Sequence, residues 1–251
     1  MPQTDTLPIL LKQLRLPTIA QHWETYQDKA HHAGWSSAEY LAALCEQEVA
    51  ERDSRRIARH AKESQLAPGK TLSSFDLSTV NIEQRARIET LAHNPNWVRQ
   101  ANNVLLFGAS GIGKTHIAAA IGHSLIEKGI RVRQYSATVL VQQLQKARQE
   151  LRLEALLSKL DKYDVVVLDD IGYVKKTEAE SYVLFEFIAH RYERKSLIVT
   201  ANQSFSDWDQ IFTDQMMTVA AIDRLVHHAT IFELSGDSYR RREAINNNTA
   251  K

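Results

Sequence analysis

Beyond about residue 80, short apolar runs alternate with longer stretches whose apolar positions recur at helical spacing. The apolar runs lie at 104–107, 130–135, 165–168, 197–200 and 230–234. The helical patterns lie at about 114–128, 138–160, 178–194 and 215–228. Alternation of this kind predicts a mostly parallel sheet with helices packed on both faces. The fold class predicted for this part of the chain is therefore α/β.

The first 65 or so residues have a different pattern, with helical spacing and no convincing strand. Leucines near the N-terminus recur at helical spacing until Pro17 interrupts them. A second helix is predicted over 37–64, and the letters APGK at 67–70 then break the chain. We therefore predict an all-helical domain over 1–68 and an α/β domain over 69–251.

Composition and charge restrict the possible functions only loosely. The 251 residues are 43% hydrophobic and 24% charged, which is ordinary for a globular protein in water. No apolar run approaches the roughly 20 residues that span a bilayer, and the N-terminus lacks the features of a signal peptide. We expect a cytoplasmic protein with no membrane partner. The net charge of +1 does not indicate a nucleic-acid binder, so such a function depends on local charge.

The strongest chemical signal is GASGIGKT at 108–115, which matches the phosphate-binding motif G-x-x-x-x-G-K-[ST]. It directly follows a predicted strand and opens a predicted helix, a context that disfavours a chance glycine turn. Glycines allow a tight turn whose N–H groups face phosphate oxygens, and the helix N-terminus adds further donors. We expect Lys114 to reach the β- and γ-phosphates of a nucleotide and the Thr115 hydroxyl to bind Mg²⁺.

Two acidic residues end the third predicted strand, in the sequence DVVVLDD at 164–170. An apolar run of this kind is typical of a central strand, and α/β sheets bind ligands at the carboxyl ends of their strands. We predict that Asp169 holds Mg²⁺ and that Asp170 polarises the water that attacks the γ-phosphate. The pair indicates hydrolysis as well as binding, with a simple acidic turn as the alternative.

The fourth predicted strand ends in a polar residue, Asn202, within the sequence LIVTAN. An asparagine at this place commonly starts a turn. Because the strand follows the acidic strand along the chain, Asn202 is also well placed to orient the attacking water. The spacing alone leaves both interpretations open.

Together, these elements resemble the AAA+ ATPases, in particular the initiator and helicase-loader branch. They are most similar to the IstB-like family, the ATPases that assist the transposases of insertion sequences. The segments that carry the resemblance are LLFGASGIGKTHIAAAIG, VVLDDIGYV, LIVTANQSF, AAIDRLVHHA and GDSYRRRE. The segments GKTLSSFDL and LLKQLRLPTIAQHW are similar to that family too, so nearly the whole chain is covered. The resemblance implies a P-loop NTPase (AAA+) fold, and the short sequence after residue 234 leaves no room for a C-terminal helical lid.

The resemblance also implies roles for individual residues. Asn202 corresponds to the sensor-1 residue, Arg224 to an arginine finger that enters the ATP site of an adjacent subunit, and Arg240 to the sensor-2 arginine. The implied catalytic residues are Lys114, Asp170, Asn202, Arg224 and Arg240. The implied nucleotide-binding residues are Gly108, Ala109, Ser110, Gly111, Ile112, Gly113, Lys114, Thr115 and His116. The resemblance further suggests the hypothesis that segment 72–77 contacts the adenine, as similar segments do in initiator-type ATPases. Without the resemblance, a solvated arginine paired with Asp223 is the preferred interpretation of Arg224.

Two groups of basic residues are candidates for contacts with duplex DNA. Four arginines share one face of the second predicted helix: Arg52, Arg55, Arg56 and Arg59. They suit sequence-independent phosphate contacts, although interspersed acidic residues make a solvated face an equal alternative. Lys146 and Arg148 form the second group. By the resemblance, they lie in a region where initiator-type ATPases carry an inserted helix that faces DNA.

Two adjacent histidine pairs, His31–His32 and His227–His228, stand out as possible metal ligands. Neighbouring side chains on a helix diverge, so we expect neither pair to share a metal ion. Trp97 and Trp208 are expected to pack in cores.

The resemblance implies an ATP- and Mg²⁺-dependent ATPase that assembles on duplex DNA as a homo-oligomer, with ATP at the subunit interfaces. It also implies that the protein regulates or recruits an IstA-like transposase during DNA transposition. One alternative is a replicative helicase loader with the same ATPase core. Another is a P-loop small-molecule kinase, which the missing lid disfavours because kinases must exclude water. A third is a protein that binds ATP only as a structural element.

Overall fold

A computed structural model describes residues 6–76, 80–172, 176–203, 208, 211–212, 214–236 and 238–239. The chain forms two compact units, Met1–Arg59 and His60–Lys251. The division between these units falls inside a long helix, before residue 68. The domain boundary predicted after residue 68 stays a prediction. Among the described residues, no helix is both long and apolar enough to cross a bilayer.

Over residues 6–59, the described part of the first unit, the regular elements are all helices. They are α1 (Leu7–Gln13), α2 (Pro17–Ala33) and the portion up to Arg59 of α3 (Ser37–Ser64). Pro17 occupies the first turn of α2, where a missing N–H costs nothing, so the predicted interruption is the start of a helix. Leu11, Ile19 and Leu44 form the small core of this unit.

Glu48 of α3 caps the N-terminus of α2. Its carboxylate accepts hydrogen bonds from the backbone N–H groups of Thr18 at 2.8 Å and Ile19 at 3.1 Å, two donors without partners inside their own helix. Arg52 Nε donates to the other carboxylate oxygen at 2.7 Å. Glu48 is only 3% exposed, and these bonds offset the cost of burying its charge.

In the described part of the second unit, five parallel strands form one sheet. They are β1 (Asn103–Phe107), β2 (Val132–Ser136), β3 (Val165–Asp169), β4 (Ser196–Ala201) and β5 (Ala229–Glu233). Their order across the sheet is β2-β3-β4-β1-β5, and all neighbours pair in parallel. All five predicted strands and the predicted α/β class are confirmed. Because β3, β4 and β1 are adjacent, their carboxyl ends meet at one edge of the sheet.

Helices cover both faces of this sheet. They are α4 (Ile82–His93), α5 (Asn96–Arg99), α6 (Lys114–Glu127), α7 (Ala137–Gln149), α8 (Leu153–Leu160), α9 (Glu178–Arg191) and α10 (Gln215–Val226). Alternate strand residues such as Leu105 and Val166 share one core with α7 to α10. The opposite face packs on α6, against which α4 lies. Trp97 and Trp208 are both buried, as predicted.

The helical layer differs from the prediction in two respects. The helix expected over 138–160 is two helices, because Leu151 adopts a left-handed backbone conformation (φ 54°). The N–H of Arg152 then donates to the Ala147 carbonyl, a bond that closes α7. The sequence pattern also gives no indication of α4 and α5, which precede the sheet.

Candidate nucleotide-binding site

The phosphate-binding loop joins β1 to α6 at the carboxyl edge of the sheet. Gly108 (φ 140°) and Gly113 (φ 103°) both adopt backbone conformations that favour glycine. A Cβ at Gly108 would lie 2.3 Å from the Leu234 carbonyl oxygen, and one at Gly113 would lie 2.5 Å from the Phe75 ring. The loop therefore needs glycine for space as well as for conformation.

Lys114 begins α6 and is only 6% exposed. Its Nζ donates hydrogen bonds to the carbonyl oxygens of Gly108 at 2.6 Å and Ala109 at 2.7 Å, and to Asn202 Oδ1 at 2.6 Å. The ammonium group thus lies inside the curve of the loop, where the motif predicts phosphate oxygens.

Thr115 and Asp169 lie together, as the sequence predicts for a Mg²⁺ site. The Thr115 hydroxyl donates to Asp169 Oδ1 at 2.9 Å. Hydroxyl and carboxylate oxygens are the hard ligands that Mg²⁺ prefers in nucleotide sites, so these residues fit the ion. The Thr200 hydroxyl, on β4, donates to the same Oδ1 at 2.6 Å and fixes the carboxylate.

Asp170 has a left-handed backbone conformation, with φ 63°. Its N–H donates to Thr200 Oγ1 at 2.8 Å, and its carboxylate accepts a hydrogen bond from Asn202 Nδ2 at 2.8 Å. Asn202 therefore connects Lys114 to Asp170. Thr200 is a site residue that the sequence pattern does not indicate, because a threonine inside an apolar strand resembles any other strand residue.

The segment before α4 forms a wall of the cleft above the loop. The cleft has a volume of about 580 Å³, within the range of small-molecule sites, and Phe75 and His116 both line it. His116 Nε2 lies 3.0 Å from the Thr71 carbonyl, and its ring packs against Phe75 at 5.0 Å between centroids. Burial lowers the pKa of His116, the Thr71 carbonyl opposes this shift and the charge of Lys70 reinforces it. Segment 72–77, the proposed adenine contact, thus reaches the cleft through Phe75, while Leu77 lies outside the described residues.

The described residues after β5 contribute another wall. Tyr239 lines the cleft, and its N–H donates to the Gly111 carbonyl at 3.0 Å. Arg240, the expected sensor-2 arginine, follows immediately but lies outside the described residues. Its role stays a prediction.

Arg224 is near the opposite edge of the sheet. The end of α10 is held by Asn103, the first residue of β1, whose Nδ2 donates to the Leu225 carbonyl at 3.1 Å. The length of β1, roughly 13 Å, therefore separates this end from the phosphate-binding loop. The Arg224 guanidinium packs over the Phe185 ring at 5.2 Å and donates to the Ala220 carbonyl at 2.9 Å. The structure does not bring Arg224 into the cleft of its own chain.

The candidate DNA-binding residues are exposed, but several of them already contact a carboxylate. Arg52 and Arg55 contact the capping carboxylate Glu48, at 2.7 and 3.9 Å. Arg56 pairs with Asp53 at 3.1 Å, and Arg59 is exposed. In the second group, Lys146 is exposed, whereas Arg148 stacks on Tyr182 at 4.0 Å and pairs with Glu186 at 3.4 Å.

The prediction that the side chains of His227 and His228 diverge is wrong. Helix α10 ends at Val226, so the two histidines lie at its end, and their ring centroids are 3.9 Å apart. His31 and His32, inside α2, do diverge: their centroids are 6.3 Å apart and the rings are almost perpendicular.

The parallel sheet, the phosphate-binding loop and the acidic end of β3 together define a P-loop nucleotide-binding protein with the AAA+ fold. The profile of the IstB-like ATP binding protein family matches residues 9–247, and the chain belongs to this family. The resemblance drawn from the sequence motifs is thereby confirmed.

Individual relatives carry names from insertion sequences. Over 239 residues the chain is 52% identical to an insertion sequence ATP-binding protein of Sinorhizobium fredii, covering 95% of this chain and 80% of that protein. It is 35% identical over 237 residues to the ATP-binding protein of insertion sequence IS21 from Pseudomonas aeruginosa, covering 94% of this chain and 89% of that protein.

Solved structures share the fold at lower identity. The replication initiator DnaA bound to AMPPCP and single-stranded DNA has a TM-score of 0.57 at 21% identity, covering 74% of this chain and 56% of that chain. The DnaC helicase loader has a TM-score of 0.51 at 20% identity, covering 70% of this chain and 99% of that chain.

Proposed function

We propose that this protein hydrolyses ATP with Mg²⁺ in a site completed by Arg224 of a neighbouring copy, and that it does so on duplex DNA to regulate a transposase. One observation carries the proposal: Asn202 bridges Lys114 and Asp170 through hydrogen bonds of 2.6 and 2.8 Å. Three groups that the reaction needs therefore lie together: the Lys114 cation can bind phosphates, the Asn202 amide can orient water, and the Asp170 carboxylate can accept a proton.

The residues of this chain have separable roles in the proposed reaction. Lys114 exchanges the carbonyl oxygens of Gly108 and Ala109 and the amide oxygen of Asn202 for phosphate oxygens of ATP, which are stronger acceptors because they are charged. Asn202 is then free to hold the attacking water through Oδ1, and Asp170 accepts the proton of that water. Mg²⁺ bound through Thr115 and Asp169 would neutralise negative charge on the phosphates.

The location of Arg224 supports an active site shared between copies. Its guanidinium lies near the amino edge of the sheet, and the phosphate-binding loop lies at the carboxyl edge. Copies that pack head to tail place one edge against the other, an arrangement that produces rings or helical filaments. An arginine supplied in this way typically contributes about 10³–10⁵ in rate.

The proposed contacts with duplex DNA are electrostatic contacts with phosphates and do not read the base sequence. Arg59 and Lys146 are exposed, and the remaining basic candidates can exchange ion pairs for phosphates. The insertion-sequence names of the relatives support an IstA-like transposase as the partner. The shared fold with the DnaC helicase loader makes helicase loading the second candidate. Capture of the transposase but not of the replicative helicase by the purified chain distinguishes the two.

The test of the central proposal is steady-state ATP hydrolysis as a function of protein concentration, with and without duplex DNA. We expect specific activity to rise with concentration and DNA to shift this rise to lower concentrations. Arg224→Ala should abolish the rise, whereas Arg85→Ala, which changes an exposed arginine paired with Glu89, should not. Specific activity that is flat under all conditions would refute a shared active site.

A further inference from the structure

Three possible metal ligands meet where the turn after α9 approaches the end of α10. Glu193, His227 and His228 are exposed, and one ligand atom from each lies within 4.8 Å of the others. Glu193 Oε1 is 3.8 Å from His227 Nδ1 and 3.8 Å from His228 Nε2. Nothing in the proposed ATPase reaction uses these residues.

The backbone holds this cluster in place. The N–H of Asn103 donates to the His228 carbonyl at 2.8 Å, which ties the second histidine to the first residue of β1. Glu193 has a left-handed backbone conformation (φ 54°) in the turn that leads into β4. All three residues are thus attached to the amino edge of one sheet, so little backbone freedom is lost when a metal binds.

The donor set selects the kind of metal. Two imidazole nitrogens and one carboxylate suit Zn²⁺ and its transition-metal neighbours, whereas Mg²⁺ prefers oxygen ligands alone. Metal–ligand bonds of about 2.0–2.2 Å place the ligands of one ion roughly 3.3 Å apart, so small side-chain rotations close the present distances. The Tyr192 hydroxyl, 2.7 Å from His227 Nδ1, must give up that hydrogen bond.

We propose that Glu193, His227 and His228 bind one Zn²⁺ ion, with water in the fourth position. The ion joins the turn after α9 to the end of α10, and Arg224 lies one helical turn before the histidines. Bound Zn²⁺ therefore restrains the part of α10 that carries Arg224. Only this consequence for Arg224 rests on the proposed function, since metal binding does not depend on ATP hydrolysis.

The test is Zn²⁺ titration of the full chain, without a histidine tag, in competition with a chromogenic chelator. We expect one equivalent to bind the wild-type chain and to raise its midpoint of thermal unfolding. In His227→Ala/His228→Ala the affinity should fall at least about tenfold, because two of three ligands are lost. His31→Ala/His32→Ala is the matched control, because it removes an adjacent pair whose rings diverge, and its affinity should equal that of the wild type.

Glu193→Gln provides a second variant that leaves both histidines in place. It should also weaken binding, and it alters only an exposed side chain, so a folding defect is not a concern. A Co²⁺ spectrum of the wild-type chain should show the strong visible absorption of tetrahedral coordination, absent from the double variant. Equal Zn²⁺ affinity in the wild type, the His227/His228 variant and Glu193→Gln would overturn the proposal.

Discussion

The Thr200 hydroxyl donates a 2.6 Å hydrogen bond to Asp169 Oδ1. The same hydroxyl accepts a hydrogen bond from the Asp170 N–H, so one side chain on β4 positions both Asp169, the last residue of β3, and Asp170, which follows it. The two strands are neighbours in the sheet, and this contact connects their ends at the nucleotide site.

Thr200→Val tests this connection with a side chain of nearly the same shape. We expect a loss of stability of about 1–3 kcal/mol, because the partly buried Asp170 N–H loses its acceptor. ATP hydrolysis should fall roughly 10- to 100-fold, since loss of a group that hydrogen-bonds to a metal ligand commonly has an effect of this size. The measurements are urea unfolding and kcat. Ser181→Ala, which removes a buried hydroxyl bonded to the Ile211 carbonyl, should lower stability without a comparable loss of kcat.

Mixing two inactive variants tests whether Arg224 acts on a neighbouring copy. Asp170→Asn and Arg224→Ala should each reduce hydrolysis at least about 100-fold while keeping ATP affinity, measured with a fluorescent ATP analogue. In a 1:1 mixture, about a quarter of the shared sites combine an intact Asp170 with an intact Arg224, so activity should recover to about that fraction. A mixture no more active than its components would show that both residues serve one chain.

Arg191 should be one of the most important residues for stability. It is 1% exposed, and its guanidinium donates to the carbonyl oxygens of Tyr163, Asp164 and Ser196 at 2.9 to 3.2 Å. Burial lowers the pKa of Arg191 to about 10, which leaves the group charged at neutral pH.

Arg191→Met should cost about 3–5 kcal/mol of the free energy of unfolding, because it leaves buried acceptors unpaired. Urea unfolding measures this loss. Arg194→Met is the control. Arg191 lies 3.9 Å from Asp161 and Arg194 contacts the same carboxylate at 3.1 Å, but Arg194 is exposed, so its loss should cost under about 1 kcal/mol. Equal costs for the two variants would contradict a special role for Arg191.

His116 should make stability depend on pH. Burial lowers its pKa in the folded chain, so between this pKa and the ordinary value of about 6.5 the unfolded chain binds more protons. The free energy of unfolding should therefore decrease as pH falls through that window. His116→Gln keeps a donor for the Thr71 carbonyl but cannot titrate, and urea unfolding at neutral and mildly acidic pH should show a smaller decrease. His93→Gln, which changes an exposed histidine, should behave like the wild type; an unchanged pH dependence in His116→Gln would contradict the prediction.

The sequence predicts the strands well, and it marks the phosphate-binding loop and the acidic pair, because these signals are local. Short stretches rich in apolar residues mark all five strands, and the glycine-lysine pattern and the acidic pair mark Lys114, Asp169 and Asp170. The sequence does not reveal features that depend on tertiary contacts, or turns that contain neither glycine nor proline. Helix α4 buries few residues, so its periodicity is weak, and Leu151, which is 94% exposed, breaks the helical stretch without glycine or proline. Neither glycine nor proline marks the end of α10 at Val226, so the sequence does not reveal that the His227 and His228 side chains lie close together.

Glu48 also sets the effective charge of the arginine face on α3. It contacts Arg52 at 2.7 Å and Arg55 at 3.9 Å, and Asp53 contacts Arg56 at 3.1 Å, so three of the four guanidiniums have a carboxylate partner before any phosphate binds. Each DNA phosphate that a protein neutralises frees about 0.9 of a condensed counterion, and this release makes binding sensitive to salt. A face that is already partly neutralised frees fewer counterions than four unpaired arginines. Duplex DNA held on this face should therefore dissociate less steeply as ionic strength rises.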